Sequence, residues 1–152
     1  MTPEEVRALF RTIPGYARVM VVVAAVTGLR RGELVGLKWE DIDFHNGKLH
    51  VRRSLVDQKE GLPKTQLSKK PGALEGALAF TLKEWSQQTS YSKPSDWVFA
   101  SPYRAGRTPY WPGTVLEKVI QPAAREAGIT KTIGWQPFGA RLQHTLWRME
   151  SQ

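Results

Sequence analysis

Apolar positions recur at helical spacing near the start of the chain and predict a first helix there. Thr2 can cap it, Pro3 suits its first turn, and Glu5 completes a capping box. Val6 and Leu9 then begin an apolar face at the spacing of an amphipathic helix. This pattern predicts a well-defined helix start at the beginning of the chain.

The most apolar run predicts a second, buried helix from Tyr16 to Thr27, which Gly28 can end. Its apolar part is about half as long as a membrane-spanning helix needs to be. It also lacks the position and cleavage site of a signal peptide. We therefore expect no membrane partner.

Helical periodicity also marks the later part of the chain. It is clearest from Thr114 to Ala127, with Gly128 as the stop signal. Further helices are predicted from Arg31 to Leu37, from Leu74 to Trp85, and from Arg141 to the end of the chain.

Partial alternation of apolar and polar residues from Lys48 to Leu55 predicts a β-strand after the Asn46-Gly47 turn. Gly61-Leu62-Pro63 marks another turn, and a second short strand is expected around Lys64. The predicted fold class is therefore α+β, mainly α with a small antiparallel β-sheet or hairpin insert. No linker or repeat interrupts the sequence, so residues 1–152 are interpreted as a single domain.

The charge balance points to an anionic partner. The 152 residues include 22 Lys and Arg against 14 Asp and Glu, which gives a net charge of +8. The anionic partner of such a domain is most often nucleic acid, and the alternative is a protein that is merely basic. The absence of cysteine excludes disulfides and favours the cytoplasm. The three histidines show no metal-ligand spacing, so neither a metal nor another cofactor is expected.

Two short segments carry candidate chemistry. Residues 27–34 place Arg30 where one helix ends and another begins, a junction that can direct an arginine at an anion. Taken alone, two surface arginines beside a helix would be the favoured interpretation. Lys64, on a predicted β-turn, can act as a point charge or proton donor, or can belong to a solvated basic hairpin.

Together these segments resemble the catalytic domain of the tyrosine recombinases, the phage integrase family. Residues 27–34, followed by Leu37 to Asp43, resemble the first arginine box, and Lys64-Thr65-x-x-Ser68 resembles the hairpin lysine of the family. Asp96 to Pro102 and Pro122 to Ile129 are similar to stretches of many bacterial integrases. The resemblance covers roughly residues 1–138 and implies a tyrosine-recombinase-like fold.

The resemblance implies DNA strand cleavage and rejoining through a phosphotyrosyl intermediate, without a metal. By position, Arg30 would be the first catalytic arginine and Lys64 the general acid. Glu33 matches a family acid that we interpret as structural, holding the arginine box. Arginine's planar fork suits two phosphate oxygens, and lysine can release a proton, so the chemistry agrees with these roles.

The second catalytic box departs from the family pattern, H-x-x-R-H followed by Ser or Thr. Aligned without a gap, Gln136 replaces the histidine and Gly139 the arginine. With four residues inserted, Gln143 replaces the arginine instead. Arg141 is the nearby candidate to substitute, although its register is wrong, and His144 could fill a structural or a phosphate-facing place. For both, the favoured interpretation is an ordinary residue on a terminal helix.

The nucleophilic tyrosine of the family follows the second box by some tens of residues, whereas the last tyrosine here is Tyr110. We therefore expect residues 1–152 to form a C-terminally incomplete recombinase catalytic domain, inactive alone, and leave open whether the chain is an enzyme. The expected activity is DNA integration and recombination for a mobile element. The alternatives are a non-catalytic DNA-binding module and a degenerate integrase remnant.

Double-stranded DNA is the expected partner, together with other recombinase protomers. Basic residues beside the two family segments are the expected DNA contacts. They are Arg31, Arg52, Arg53, Lys69 and Lys70.

Overall fold

The computed structural model describes residues 2–62, 72–74, 76–131, 133–135 and 145. They fall into two compact units. The terminal unit comprises residues up to Gly28 and from Gly113 onward, and the central unit comprises Leu29–Pro112. The sequence-based prediction of one domain over residues 1–152 stays a prediction.

Six α-helical segments are described along the chain. They are α1 (Pro3–Thr12), α2 (Gly15–Thr27), α3 (Arg31–Val35), α4 (Gly76–Gln88), α5 (Pro112–Val115) and α6 (Gln121–Glu126). Short 3₁₀ turns cover Trp39–Asp41 and Pro102–Arg104, and a π-helical turn covers Leu116–Ile120. None of the described helices is long and apolar enough to cross a membrane.

The predicted start of α1 is confirmed. The Thr2 hydroxyl accepts the Glu5 backbone N–H at 3.1 Å, and the Glu5 carboxylate accepts the Thr2 backbone N–H at 2.9 Å. Val6 and Leu9 are fully buried. The predicted end of α2 is also confirmed, because Gly28 adopts a left-handed φ of 70° that a glycine accommodates without strain.

The helix predicted from Thr114 to Ala127 is interrupted. It begins at Pro112, passes through the π-helical turn and continues as α6. Pro122 explains the interruption, because proline lacks an N–H and its ring crowds the carbonyl four residues earlier, that of Lys118 within the turn. The helix predicted from Arg141 lies outside the described residues apart from Thr145, which is helical and buried.

The central unit contains two small antiparallel sheets, which confirms the predicted fold class. One has the order β1-β2-β5, formed by Ile42–Asp43, Lys48–Leu49 and Gly72–Ala73. The other pairs β3 (Ser54–Val56) with β4 (Lys59–Gly61). In register, Ile42 lies opposite Leu49, Lys48 opposite Ala73 and Leu55 opposite Glu60.

The strand prediction was wrong in two details. The strand expected from Lys48 to Leu55 divides into β2 and β3, and between them the His50 N–H bonds to the Asp41 carbonyl instead of to a strand. The hairpin turn lies at Asp57 and Gln58, whose positive φ values of 52° and 65° suit the twist of a tight hairpin. Gly61, expected in a turn, belongs to β4. Pro63 and the short strand expected around Lys64 lie outside the described residues.

Helix α4 and the segment after it build much of the core of the central unit. Leu78, Leu82, Val98 and Phe99 are buried. The predicted start of α4 at Leu74 was early by two residues, and Leu74 is buried ahead of the helix.

Three tryptophans donate their indole N–H groups to backbone carbonyls. Trp39 donates to Tyr91 at 2.8 Å, Trp85 to Val98 at 2.7 Å, and Trp97 to Arg107 at 3.1 Å. Each bond satisfies the one polar atom of a large apolar side chain. These side chains therefore act as structural aromatics.

Candidate functional site

The predicted arginine box begins immediately after α2. Leu29 is buried, and Arg30 is exposed directly before the first residue of α3. Glu33 is fully buried within the same turn, and its carboxylate accepts the Arg30 backbone N–H at 3.1 Å. This contact agrees with the structural role predicted for Glu33, because it fixes the backbone that carries the Arg30 side chain.

Two glycines let α3 lie directly against the chain around β3. A Cβ atom at Gly32 would lie 2.6 Å from the carbonyl oxygen of Leu55 and from the hydroxyl of Ser54. A Cβ at Gly36 would lie 2.9 Å from the carbonyl oxygen of Arg53. Only glycine permits backbone contact this close. The arginine box is therefore packed against the strand that leads into the hairpin.

The Asp41 carboxylate has several hydrogen-bonding and ion-pair partners. Its side chain is fully buried and its Oδ2 accepts from Arg53 Nη1 at 2.7 Å and from the Lys38 backbone N–H at 2.8 Å. Its Oδ1 lies 3.1 Å from Arg52 Nε and 3.4 Å from Arg53 Nη2. We call Lys38, Asp41, Arg52 and Arg53, with the Gly36 carbonyl, the Asp41 cluster.

Arg52 and Arg53 occupy different environments although they are neighbours. The Arg53 side chain is 13% exposed, and its Nη1 also donates to the Gly36 carbonyl at 2.6 Å. The Arg52 side chain is 55% exposed and reaches Asp41 through Nε. Both were predicted to contact DNA. Arg52 has the surface to do so, whereas the Arg53 guanidinium is engaged inside the protein.

An aromatic ring completes the surroundings of Arg53. The Trp97 ring has the Arg53 guanidinium carbon 6.0 Å from its centroid and the Lys38 ammonium at 4.7 Å. Such cation–π contacts stabilise positive charge without neutralising it. Sequence reasoning missed the Asp41 cluster, although Lys38 and Asp41 have the i, i+3 spacing by which a carboxylate caps a helical turn.

The structure describes only part of the predicted site. Arg30, Arg31 and Arg52 lie in the central unit with exposed side chains. The remaining predicted residues lie outside the described residues, and their proximity to Arg30 stays a prediction. They are Lys64, Lys69, Lys70, Arg141 and His144.

The four tyrosines differ in accessibility. Tyr103 is 90% exposed in the 3₁₀ turn after Phe99. Tyr16, Tyr91 and Tyr110 are half-buried. The Tyr91 ring packs on Gly106, where an added Cβ would lie 2.4 Å from it. Tyr103 is therefore the most accessible of the four.

Exposed arginines on a rigid backbone are suited to bind phosphate. The guanidinium fork donates two parallel hydrogen bonds to two oxygens of one phosphate, and it stays charged at every physiological pH. The described site therefore offers phosphate-binding groups at Arg30, whose backbone is held by the buried Glu33, and at Arg31.

Comparison with known proteins gives one consistent result. Residues 1–147 match the phage integrase family. The chain is 35% identical over 95 residues to the tyrosine recombinase XerC-like protein of Caldanaerobacter subterraneus subsp. tengcongensis, covering 53% of this chain and 24% of that protein. It is 31% identical over 135 residues to the tyrosine recombinase XerA of Pyrococcus furiosus, covering 87% and 43%. The chain thus spans less than half of these relatives.

The fold has a matching solved structure. The crystal structure of XerA recombinase covers 100% of this chain with a TM-score of 0.64, at 21% sequence identity. This chain covers 50% of that structure. The likeness supports the α+β fold assigned above.

Proposed function

Because this chain belongs to the phage integrase family, we propose that it takes part in DNA integration and recombination. Its partner would be double-stranded DNA in the cytoplasm, together with other recombinase protomers. The observation that carries the proposal is the exposed Arg30 at the start of α3, whose backbone N–H is held by the fully buried carboxylate of Glu33. A buried acid used in this way supports a fixed orientation for an arginine that reaches outward.

The proposed division of roles follows from the chemistry of the side chains. Arg30 would bind the non-bridging oxygens of a DNA phosphate and stabilise the charge that builds on them. Lys64 would protonate the leaving oxygen, because a lysine can release a proton that an arginine retains. Arg31 and Arg52 would bind neighbouring phosphates and set the register of the duplex.

A second candidate is a non-catalytic DNA-binding module. The observation that favours it is the second box, where uncharged Gln136 takes the histidine position if the residues are aligned without a gap. Glutamine donates a hydrogen bond but carries no charge, so it stabilises a phosphate transition state poorly. We propose that the 152-residue polypeptide binds DNA but does not cleave it alone.

Duplex titration tests the binding proposal. Sequence-independent binding is expected at about 10⁻⁴–10⁻⁶ M near physiological salt, and it should weaken as salt rises. Arg30→Ala and Arg31→Ala should each reduce the slope of log affinity against log salt by about 0.9. Lys131→Ala removes the same charge from a lysine that pairs with Glu5 in the terminal unit. Binding that ignores salt, or an equal response to Lys131→Ala, would contradict the proposal.

A nicked suicide substrate separates the two candidates. It traps a covalent protein–DNA intermediate that is visible on a denaturing gel. We expect no adduct with the polypeptide alone, and strand exchange when a full-length recombinase supplies a tyrosine in trans. An adduct that disappears on Tyr103→Phe or Tyr110→Phe would reveal a relocated nucleophile and overturn the expectation of inactivity.

A further inference from the structure

We infer that Asp41 is a positioning residue for Arg30. Its carboxylate acts through Arg53 to hold α3, and so the backbone of Arg30, in the orientation that a DNA phosphate requires. The inference rests on the proposed function, because it needs Arg30 to contact phosphate. It concerns a buried acid that lies eleven residues beyond the arginine it would position, counting from 30 to 41.

The first step is the geometry between Asp41 and Arg53. Two guanidinium nitrogens of Arg53 face the two carboxylate oxygens of Asp41, Nη1 at 2.7 Å and Nη2 at 3.4 Å. This fork-to-fork arrangement fixes the plane of the guanidinium, which a lysine could not do. The Asp41 backbone is fixed as well, since its carboxylate accepts the Lys38 N–H and its carbonyl accepts the His50 N–H.

The second step is the contact between Arg53 and α3. Nη1 of Arg53 donates at 2.6 Å to the carbonyl of Gly36, the residue that ends α3. The Gly36 N–H in turn bonds to the Gly32 carbonyl at 3.1 Å, inside the helix. One nitrogen of Arg53 thus joins the buried acid to the end of α3.

The third step is the dependence of α3 on tertiary contacts. The helix has five residues, and a helix this short has no appreciable stability in water by itself. Its orientation must come from groups outside it. At its end away from Arg30, these groups include the Arg53 guanidinium and the backbone packed against Gly36, in addition to the core around the buried Leu34 and Val35. At its other end, the Leu34 N–H bonds to the Arg30 carbonyl at 2.8 Å.

The two neighbouring arginines, alike in the sequence, therefore have different roles. Arg53 holds α3 from inside the protein, and Arg52, more than half exposed, shares Asp41 while remaining accessible to DNA. Asp41 therefore affects DNA binding without touching DNA.

The test compares two substitutions that change the charge equally. Asp41→Asn and Asp43→Asn each remove one negative charge, which by charge alone should leave DNA binding equal or tighter. Asp43 accepts hydrogen bonds from Asn46 in the neighbouring turn, from Nδ2 at 2.8 Å and from the backbone N–H at 3.0 Å. It lies two residues from Asp41 in the chain, which makes it a matched control.

Duplex titrations over a range of salt concentrations supply the readout. We expect Asp41→Asn to weaken binding and to lower the salt slope by about 0.9, the value for one lost phosphate contact. Asp43→Asn should not lower it. Arg30→Ala should lower the slope equally, and Arg30→Ala combined with Asp41→Asn should lower it no further, because both remove the same contact. A purely structural role for Asp41 would not produce this non-additivity.

Arg53→Lys is the second variant, because it keeps the charge and loses the fork. It should reproduce the loss of slope seen with Asp41→Asn. If the wild-type chain and Arg30→Ala share one slope, the proposed function fails and the inference fails with it. If Arg30→Ala lowers the slope but Asp41→Asn and Arg53→Lys do not, only the inference is overturned. If circular dichroism shows that neither variant folds, Asp41 serves the fold itself, which also overturns the positioning role.

Discussion

The start of α1 and the Asp41 cluster use the same hydrogen bond in different surroundings. In both, a carboxylate accepts the backbone N–H of the residue three positions earlier, Glu5 from Thr2 and Asp41 from Lys38. The Glu5 side chain is 24% exposed and has one cation near it, Lys131 at 3.5 Å. The Asp41 side chain is fully buried and bonded to two arginines.

The comparison shows that the same hydrogen-bonding motif can contribute different amounts to the free energy of unfolding in different surroundings. At the start of α1, water can replace any bond that is lost, so the capping contact contributes little. In the Asp41 cluster, water has no access to the carboxylate, so losing its buried partner Arg53 leaves a buried charge poorly compensated. Substitutions in the two regions should therefore differ in effect even where they remove the same kind of bond.

The largest effect is expected for Arg53→Met. It removes the partner of a fully buried carboxylate and the donor to the Gly36 carbonyl, which should lower the free energy of unfolding by about 3 kcal/mol. Arg52→Met removes a mostly exposed partner of the same carboxylate and should lower it by less than about 1 kcal/mol. Urea denaturation of the two variants measures the difference. Equal losses would contradict the distinction drawn between the two arginines.

Glu33→Ala should have the next largest effect. It removes a fully buried carboxylate and leaves the Arg30 N–H without this acceptor, which should lower the free energy of unfolding by about 2 kcal/mol. Glu40→Ala is the control, because Glu40 is exposed in the nearby 3₁₀ turn. Its substitution should change stability by less than about 0.5 kcal/mol. A Glu33→Ala variant as stable as wild type would show that the buried acid is dispensable.

Gly32→Ala probes the close packing of α3 instead of its hydrogen bonds. The new Cβ would lie 2.6 Å from the Leu55 carbonyl oxygen, so the backbone must shift, and about 1–2 kcal/mol of stability should be lost. Gly76→Ala places a methyl group at the start of α4 with no atom within 4 Å. It should leave stability unchanged or raise it slightly, since alanine favours helix. If denaturation shows equal stability for both variants, the close approach does not matter.

The sequence predicted local structure well because local structure depends on neighbouring residues. The Thr2–Glu5 capping box, the end of α2 at Gly28 and the turn at Gly47, with its φ of 65°, all follow from residues a few positions apart. The family resemblance identified Arg30 and Glu33 as residues of the arginine box. These features need no knowledge of tertiary contacts.

The Asp41 cluster could not be predicted, because it depends on which side chains the fold brings together. Arg52 and Arg53 are equivalent basic residues in the sequence, and the chain path alone decides that Arg53 turns inward toward Gly36 and Asp41. The turn between β3 and β4 was missed for a related reason. Gly61 and Pro63 are stronger turn signals than Asp57 and Gln58. Val56 nevertheless pairs with Lys59, which places the turn at Asp57 and Gln58.

The smallest effect is expected at Glu5, where it depends on pH. The N–H of Thr2 that donates to the carboxylate is the main reason that the pKa of Glu5 lies below its ordinary value of 4.5, with a smaller contribution from Lys131. Because the pKa is lower in the folded state than in the unfolded state, the ionised form stabilises the fold above about pH 4.5. That contribution is lost as the pH falls through the folded-state pKa, since the unfolded chain takes up the proton first.

Glu5→Gln should therefore lower the free energy of unfolding by about 0.5 kcal/mol near neutral pH and by less in acid. Urea denaturation of wild type and variant from about pH 7 to about pH 3 measures how the difference narrows. Glu4→Gln is the control, because Glu4 is also in the first turn of α1, is exposed and takes no part in the capping box. A difference that stays constant with pH, or that matches the control, would show that the capping carboxylate contributes through shape and not through charge. In that case the Glu5 and Asp41 carboxylates would differ in how they stabilise the fold, and not only in how strongly they do so.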